Sequence, residues 1–193
     1  MKRTNRIFAL ALSLASIAVV ATAQQAMMTA SNNPMVGGMP MMANKNIVEN
    51  AVNSKDHTTL VAAVKAAGLV DALMGKGPFT VFAPTNDAFE NLPEGTVPTL
   101  LKPENKSMLS GVLTYHVVAG NLTSDKIRGA IKKGNGSAMI KTLNGGVLTA
   151  KMNGPTNIVL VDQAGGVASI STYDVKQSNG VIHVINKVLM PKM

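Results

Sequence analysis

The sequence predicts one α+β domain with a largely antiparallel sheet. Apolar residues recur at helical spacing early in the chain, from residue 47 onward. The later part consists of short β-prone runs separated by turn signals such as Asn179-Gly180. Helices gathered before strands are typical of α+β domains. No internal repeat is present, so one copy of the domain is expected. A hydrophobic content of 46% is enough to build a core and excludes a disordered chain.

The first 23 residues have the features of a secretory signal peptide. Cations at positions 2, 3 and 6 precede an apolar run at 7–20, and Ala21-Thr22-Ala23 supplies the small residues that a signal peptidase recognises. The run is shorter than the ~20 residues of a membrane span. We therefore predict cleavage after Ala23 and a secreted or periplasmic mature chain with no transmembrane segment. The alternative is an uncleaved N-terminal anchor.

Residues 24–46 are predicted to form a flexible, methionine-rich arm. They combine proline, glycine and asparagine and show no apolar periodicity. Thioethers are soft ligands that prefer Cu(I), so Met35, Met39, Met41 and Met42 make one hypothetical copper site. The alternative is a simple spacer. No other metal site and no cofactor are predicted, because the chain has no cysteine and its three histidines lack ligand spacing.

The first predicted elements are helices around one short strand. Four apolar residues between 60 and 67 share a helical face that begins after Thr58, and Gly68 follows at the position that favours a residue without Cβ. Residues 69–73 add a short second helical turn. A strand at 79–83 stops at Pro84, and Thr85 begins the next helix with Asp87 in its first turn.

The remaining elements are one helix and several strands. Residues 107–114 are predicted helical and lead into a segment of β character at 115–118. Further strands are predicted at 147–152, 158–161, 167–170 and 181–185, each bounded by glycine or asparagine turns.

The motifs at residues 79–89, at 113–118 and at 179–185 with 188–191 resemble, in order, the signature blocks of the fasciclin (FAS1) domain. Residues 79–89, Phe-Thr-Val-Phe-Ala-Pro-Thr-Asn-Asp-Ala-Phe, are similar to the first block. Residues 113–118 resemble its central Tyr-His block, and residues 179–185 with 188–191 resemble its closing block. The resemblance covers residues 47–191. It implies the FAS1 fold, in which two small β-sheets form a wedge with helices packed on one side.

The resemblance also implies a non-enzymatic role in cell adhesion. The implied partner is a cell-surface or matrix protein or polysaccharide, and weak self-association is a further possibility. Integrin contacts of animal members correspond to Tyr115 and His116 and to Asp174 and Val175, although Lys176 stands where the animal motif has leucine. The alternative for Tyr115 and His116 is that they satisfy backbone groups. A second implied function is carriage of a small apolar ligand such as a pigment.

Charge and composition narrow the function classes. Lys132 and Lys133, with Lys126 and Arg128, form a local basic cluster in a chain of net charge +8, which indicates either an anion-contacting patch or a solvated surface. An exported chain with only 3% aromatic residues is not expected to bind nucleic acid. An enzyme is not expected, because no Gly-x-Ser-x-Gly motif, catalytic cysteine or paired carboxylate is present.

Overall fold

The computed structural model describes residues 33–192. Within this range the helices are α1 Ile47–Ala51, α2 Thr58–Ala67, α3 Val70–Met74, α4 Asn86–Glu90, α5 Thr96–Leu100, α6 Lys106–Tyr115 and α7 Ser124–Lys133, with 3-10 turns at Lys55–His57 and Pro103–Asn105. The strands are β1 Met35–Val36, β2 Met39–Pro40, β3 Phe79–Pro84, β4 Val117–Ala119, β5 Ser137–Lys141, β6 Val147–Asn153, β7 Asn157–Val161, β8 Val167–Gln177 and β9 Gly180–Ile185. The predicted signal peptide lies outside the described residues.

Seven strands follow one another in the order β4-β3-β9-β8-β7-β6-β5. Their pairs are antiparallel, as predicted, except that β3 and β9 run parallel, from Phe79 opposite Gly180 to Pro84 opposite Ile185. A parallel pair needs a long crossover connection, and here residues 85–179, from α4 to β8, lie between the two strands. The first and closing sequence blocks are therefore neighbours in space.

Strand β8 belongs to two sheets. Its start, Val167–Ser169, pairs with β7, whereas its later part pairs with β9 from Ile170 to Gln177. Register shifts around Thr172 and before Val175 interrupt the second pairing. Such bulges bend a strand and increase its twist. The bend separates a β4-β3-β9-β8 sheet from a β8-β7-β6-β5 sheet, which is the wedge that the resemblance implies.

Two apolar cores lie on opposite faces of β3. Val81 and Ala83 face the first core, which the helices α1 to α6 cover, whereas Phe82 faces a second core. In the second core, Ile127 and Ile131 of α7 cover the inner face of the β5–β8 sheet. Successive side chains of β3 thus alternate between the two cores. Both faces are buried, so β3 is a central strand between two layers.

Several predicted boundaries agree with the structure. Helix α2 ends at Gly68, whose φ of 72° is the left-handed conformation that glycine adopts without penalty. Helix α4 follows Thr85 and has Asp87 in its first turn. Helices α1, α5 and α7 and strand β5 were not predicted, because they are short or, in α7, dominated by charged residues.

Residues 34–46 contain a hairpin that packs on the domain, whereas the sequence predicts a flexible arm at 24–46 and a domain that begins at residue 47. Strands β1 and β2 form a hairpin, and the side chains of Val36 and Met41 are buried in the first core. Met41 also donates its backbone N–H to the Pro34 carbonyl at 2.9 Å. Asn46 then caps α1 in a capping box with Glu49. Burial of these two apolar side chains offsets part of the entropy lost in ordering the hairpin.

Candidate functional site

Tyr115, the last residue of α6, is buried and links this helix to the β8-β7-β6-β5 sheet through its hydroxyl group. Its hydroxyl donates to the Val147 carbonyl at 2.9 Å and accepts from the Gln163 N–H at 3.1 Å. Burial raises the pKa of Tyr115, which keeps the hydroxyl protonated and able to donate. The side chain is fully buried.

His116 joins α6 to the closing segment of the chain. The Leu189 N–H donates to Nε2 at 2.9 Å, which requires Nε2 to be unprotonated and places the ring proton on Nδ1, 2.8 Å from the Val112 carbonyl. Burial lowers the pKa of His116 to about 4, so the ring is neutral at pH 7. Tyr115 and His116 thus satisfy backbone groups, and the partner contact that the resemblance implies for them stays a prediction that their burial does not favour.

Asp174 holds the N-terminus of α7 and is not a free surface carboxylate. The Ser124 N–H donates to its Oδ1 at 2.7 Å, and the Ser124 hydroxyl donates to Oδ2. Its backbone has a φ of 55°, a conformation that aspartate tolerates better than most residues. The next residue, Val175, is fully buried in the first core. Asp174 is engaged internally and Val175 is buried, so their positions do not favour the partner contact that the resemblance implies, which stays a prediction.

His183 forms the polar centre of the second core. It donates from Nε2 to the Leu122 carbonyl at 2.8 Å and accepts the Asp174 N–H at Nδ1, 3.3 Å away. Its ring stacks on Phe82, with centroids 5.6 Å apart, and contacts the edge of Tyr173. Burial lowers the pKa of His183. These contacts identify it as a structural histidine.

The predicted basic cluster is a surface of α7. Lys126, Lys132 and Lys133 are exposed, and we call these three side chains the basic face. Lys132 and Lys133 occupy the last helical turn, where the helix dipole favours positive charge. Arg128 differs from them because it forms an ion pair with Asp125 at 3.4 Å and lies over the Tyr173 ring at 5.4 Å.

The four methionines of the hypothetical copper site do not share one environment. Met35 is 61% exposed and Met39 is partly exposed, whereas Met41 is 2% exposed in the first core. Met42 is half-buried. A site that uses all four sulfurs would require the Met41 sulfur to leave the core, so the copper site stays a prediction that this arrangement does not favour. In the part of the chain that the structure describes, no three His, Asp or Glu side chains are grouped to hold a metal ion.

An apolar cavity of about 280 Å³ lies between the helices and β3, and sequence reasoning did not predict it. Its walls come from α1, α2, α3, β3 and the α6–β4 junction. Helix α3 contains no buried residue, so Val70 and Leu73 present their side chains to the cavity without filling it. Lys65, Ala72 and Leu143 are its exposed lining residues. In the sequence, the cavity corresponds to the short apolar segment at 69–73 between glycines. Such a segment is equally typical of an ordinary, filled core.

No helix among residues 33–192 is both long enough and apolar enough to cross a membrane. The fasciclin domain model matches residues 55–191. Over 194 aligned residues and the full length of both chains, the protein is 42% identical to Protein sll1483 of Synechocystis sp.. It is 34% identical to Immunogenic protein MPB70 of Mycobacterium bovis, over 78% of this chain and 71% of that protein.

Cell surface glycolipoprotein MPB83 of Mycobacterium bovis is 35% identical over 84% of this chain and 68% of its own length. Among solved structures, the FAS1 domain pair of the insect cell adhesion molecule fasciclin I matches with a TM-score of 0.67 at 16% identity, over 76% of this chain. The chain spans about half the length of that pair, and at this identity the match shows the fold alone. With the family match extending over most of its length, the chain belongs to the fasciclin domain family.

Proposed function

We propose that the protein is a secreted, non-enzymatic fasciclin domain that attaches to anionic polysaccharide at a cell surface or in the matrix. Fasciclin domains are generally adhesion-type domains of extracellular proteins. One relative is named a cell surface glycolipoprotein, which supports an envelope location for the activity. The predicted export signal supports the same location.

The basic face of α7 carries this proposal. Of the six side chains implied or predicted to contact a partner, Lys132 and Lys133 are the two that are exposed without an internal role. Tyr115, His116 and Val175 are buried, and Asp174 binds Ser124. Exposed lysines attract a polyanion at long range, and each contact is weak. Strength comes from several copies acting on one polymer.

A charge-reversal experiment tests the proposal. Lys132→Glu/Lys133→Glu is compared with Lys55→Glu/Lys102→Glu, which changes the net charge equally at exposed lysines of other segments. Retention on cell-envelope polysaccharide is measured across a salt series. We expect Lys132→Glu/Lys133→Glu to reduce retention, with the largest loss at low salt. At physiological ionic strength the effect is smaller, because exposed charges are screened beyond about 8–10 Å.

Two outcomes would contradict the proposed surface. Equal loss in both variants would mean that net charge, and not the basic face, controls attachment. Full retention by Lys132→Glu/Lys133→Glu would remove the basic face from the function. Thermal midpoints are recorded for both variants, because reversing charge in the last turn of a helix costs about 0.3–1 kcal/mol of stability.

A further inference from the structure

We infer that the apolar cavity is a binding site for a single-chain fatty acid whose carboxylate lies beside Lys65. The inference is independent of polysaccharide attachment, which uses α7. It rests on three properties of the cavity: its size, the pairing of its polar atoms and the position of one lysine.

The size of the cavity indicates one aliphatic chain. Protein interiors are close-packed, and voids larger than a water molecule are few. A dry cavity of ~150 Å³ holds the six carbons of benzene, so by proportion about 280 Å³ has room for roughly eleven carbons. This volume lies just below the ~300–1,000 Å³ of pockets for drug-sized ligands. It accommodates one medium-length acyl chain, whereas a two-chain lipid or a large pigment exceeds it.

The polar atoms of the wall are already paired with the protein. His116 uses both ring nitrogens, on Val112 and Leu189. Thr114 donates its hydroxyl to the Ser110 carbonyl at 2.6 Å. A polar ligand would therefore lose hydrogen bonds to water and gain none from these side chains, while an aliphatic chain loses none. The apolar walls, Leu69, Val70 and Leu73 among them, supply the contacts that such a chain makes.

The position of Lys65 indicates that the ligand has an anionic head group. It lines the cavity and is exposed, and a lysine in such a position covers apolar surface with its aliphatic stem while its ammonium group stays in water. The one ion pair of residues 33–192 joins Arg128 and Asp125, which leaves Lys65 without a carboxylate partner in this range. An anionic head group completes this arrangement. A free fatty acid provides both parts, the chain and the charge.

Titration with decanoate tests the inference, with decanol as the uncharged ligand of equal chain length. Calorimetry is performed on the mature protein below the concentration at which either ligand aggregates. We expect saturable binding of one decanoate and weaker binding of decanol. Lys65→Met should weaken decanoate about tenfold and leave decanol unchanged. Lys102→Met, which removes an exposed lysine away from the cavity, should leave both unchanged.

A cavity-filling variant locates the site. Val61→Phe adds volume at a half-exposed residue of the cavity wall, whereas Val167→Phe adds the same volume on the exposed side of β8. We expect Val61→Phe to abolish binding of both ligands and Val167→Phe to bind like the parent protein, with thermal midpoints confirming that both variants fold.

Three results would overturn the inference. The first is no decanoate binding by the parent protein. The second is identical binding by Val61→Phe and Val167→Phe, which would indicate adsorption elsewhere. The third is a visible absorbance band in protein purified from its own source, which would assign the cavity to a pigment.

Discussion

At the scale of single residues, Phe82 shows how one side chain couples two cores. Its neighbours Val81 and Ala83 face the helical core, and Phe82 itself is fully buried against His183 in the second core. A strand whose side chains alternate between two buried faces cannot shift by one residue without exchanging the contents of both cores. Phe82 therefore stabilises the register of β3 as well as the packing around it.

Replacing Phe82 tests this role. We expect Phe82→Ala to lower the free energy of unfolding by about 3–5 kcal/mol, because removing a buried aromatic ring leaves a cavity that the surroundings only partly fill. Phe82→Leu, which keeps more of the apolar volume, should cost clearly less. Urea denaturation measures both values. An unchanged midpoint for Phe82→Ala would show that the second core does not depend on this ring.

At the scale of elements, α7 depends on a residue that is distant in sequence. Asp174 accepts from the Ser124 N–H at the first turn, while the Thr123 side chain accepts from Lys126 at 3.5 Å. Carboxylates stabilise helix N-termini because the N–H groups there lack partners and the dipole is positive. The carboxylate that the family resemblance implied for integrin contact thus attaches α7 to β8.

Substitution of Asp174 separates a structural from a partner-binding role. We expect Asp174→Ala to cost about 1–3 kcal/mol, since the Ser124 groups lose their acceptor. Asp174→Asn should recover part of this, because it keeps one acceptor oxygen and tolerates the same backbone conformation. Lys176→Ala, an exposed residue two positions away, is the control. A stable Asp174→Ala variant that loses only attachment would instead make Asp174 a contact residue.

At the scale of the whole molecule, local sequence patterns predicted the fold class, whereas long-range contacts determine which residues are buried and which form the candidate site. Periodicity and turn residues were sufficient for α2 and β3, whose signals lie within about ten residues. The parallel pairing of β3 with β9 joins residues about a hundred positions apart, which no local pattern encodes. The local sequence did not show whether the side chains of Val175, Tyr115 and His116 are exposed or buried. Met41 likewise became a core residue only through tertiary packing, and the cavity exists only where several elements meet.

The three histidines together make the stability of the domain sensitive to acid. Burial lowers the pKa of His116 to about 4, and it also lowers the pKa values of His57 and His183, whereas unfolded histidine has a pKa near 6.5. Neighbouring carboxylates at Asp162, Asp56 and Asp174 oppose these shifts without cancelling them. Between pH 6.5 and 4 the unfolded chain therefore binds protons that the folded chain does not, and stability falls as the pH falls.

We expect the thermal midpoint to be constant from pH 8 to 7 and to fall steadily from pH 6.5 toward pH 4. Each histidine that is protonated in the unfolded chain but neutral in the folded chain gives the free energy of unfolding a slope of about 1.4 kcal/mol per pH unit. His116→Gln removes one of the three titrating groups, so this variant should be less stable at pH 7 but show a shallower decline below pH 6.5. Calorimetry at half-unit intervals measures both slopes. A midpoint that rises on acidification, or an unchanged slope in His116→Gln, would mean that His116 is not held neutral between Val112 and Leu189.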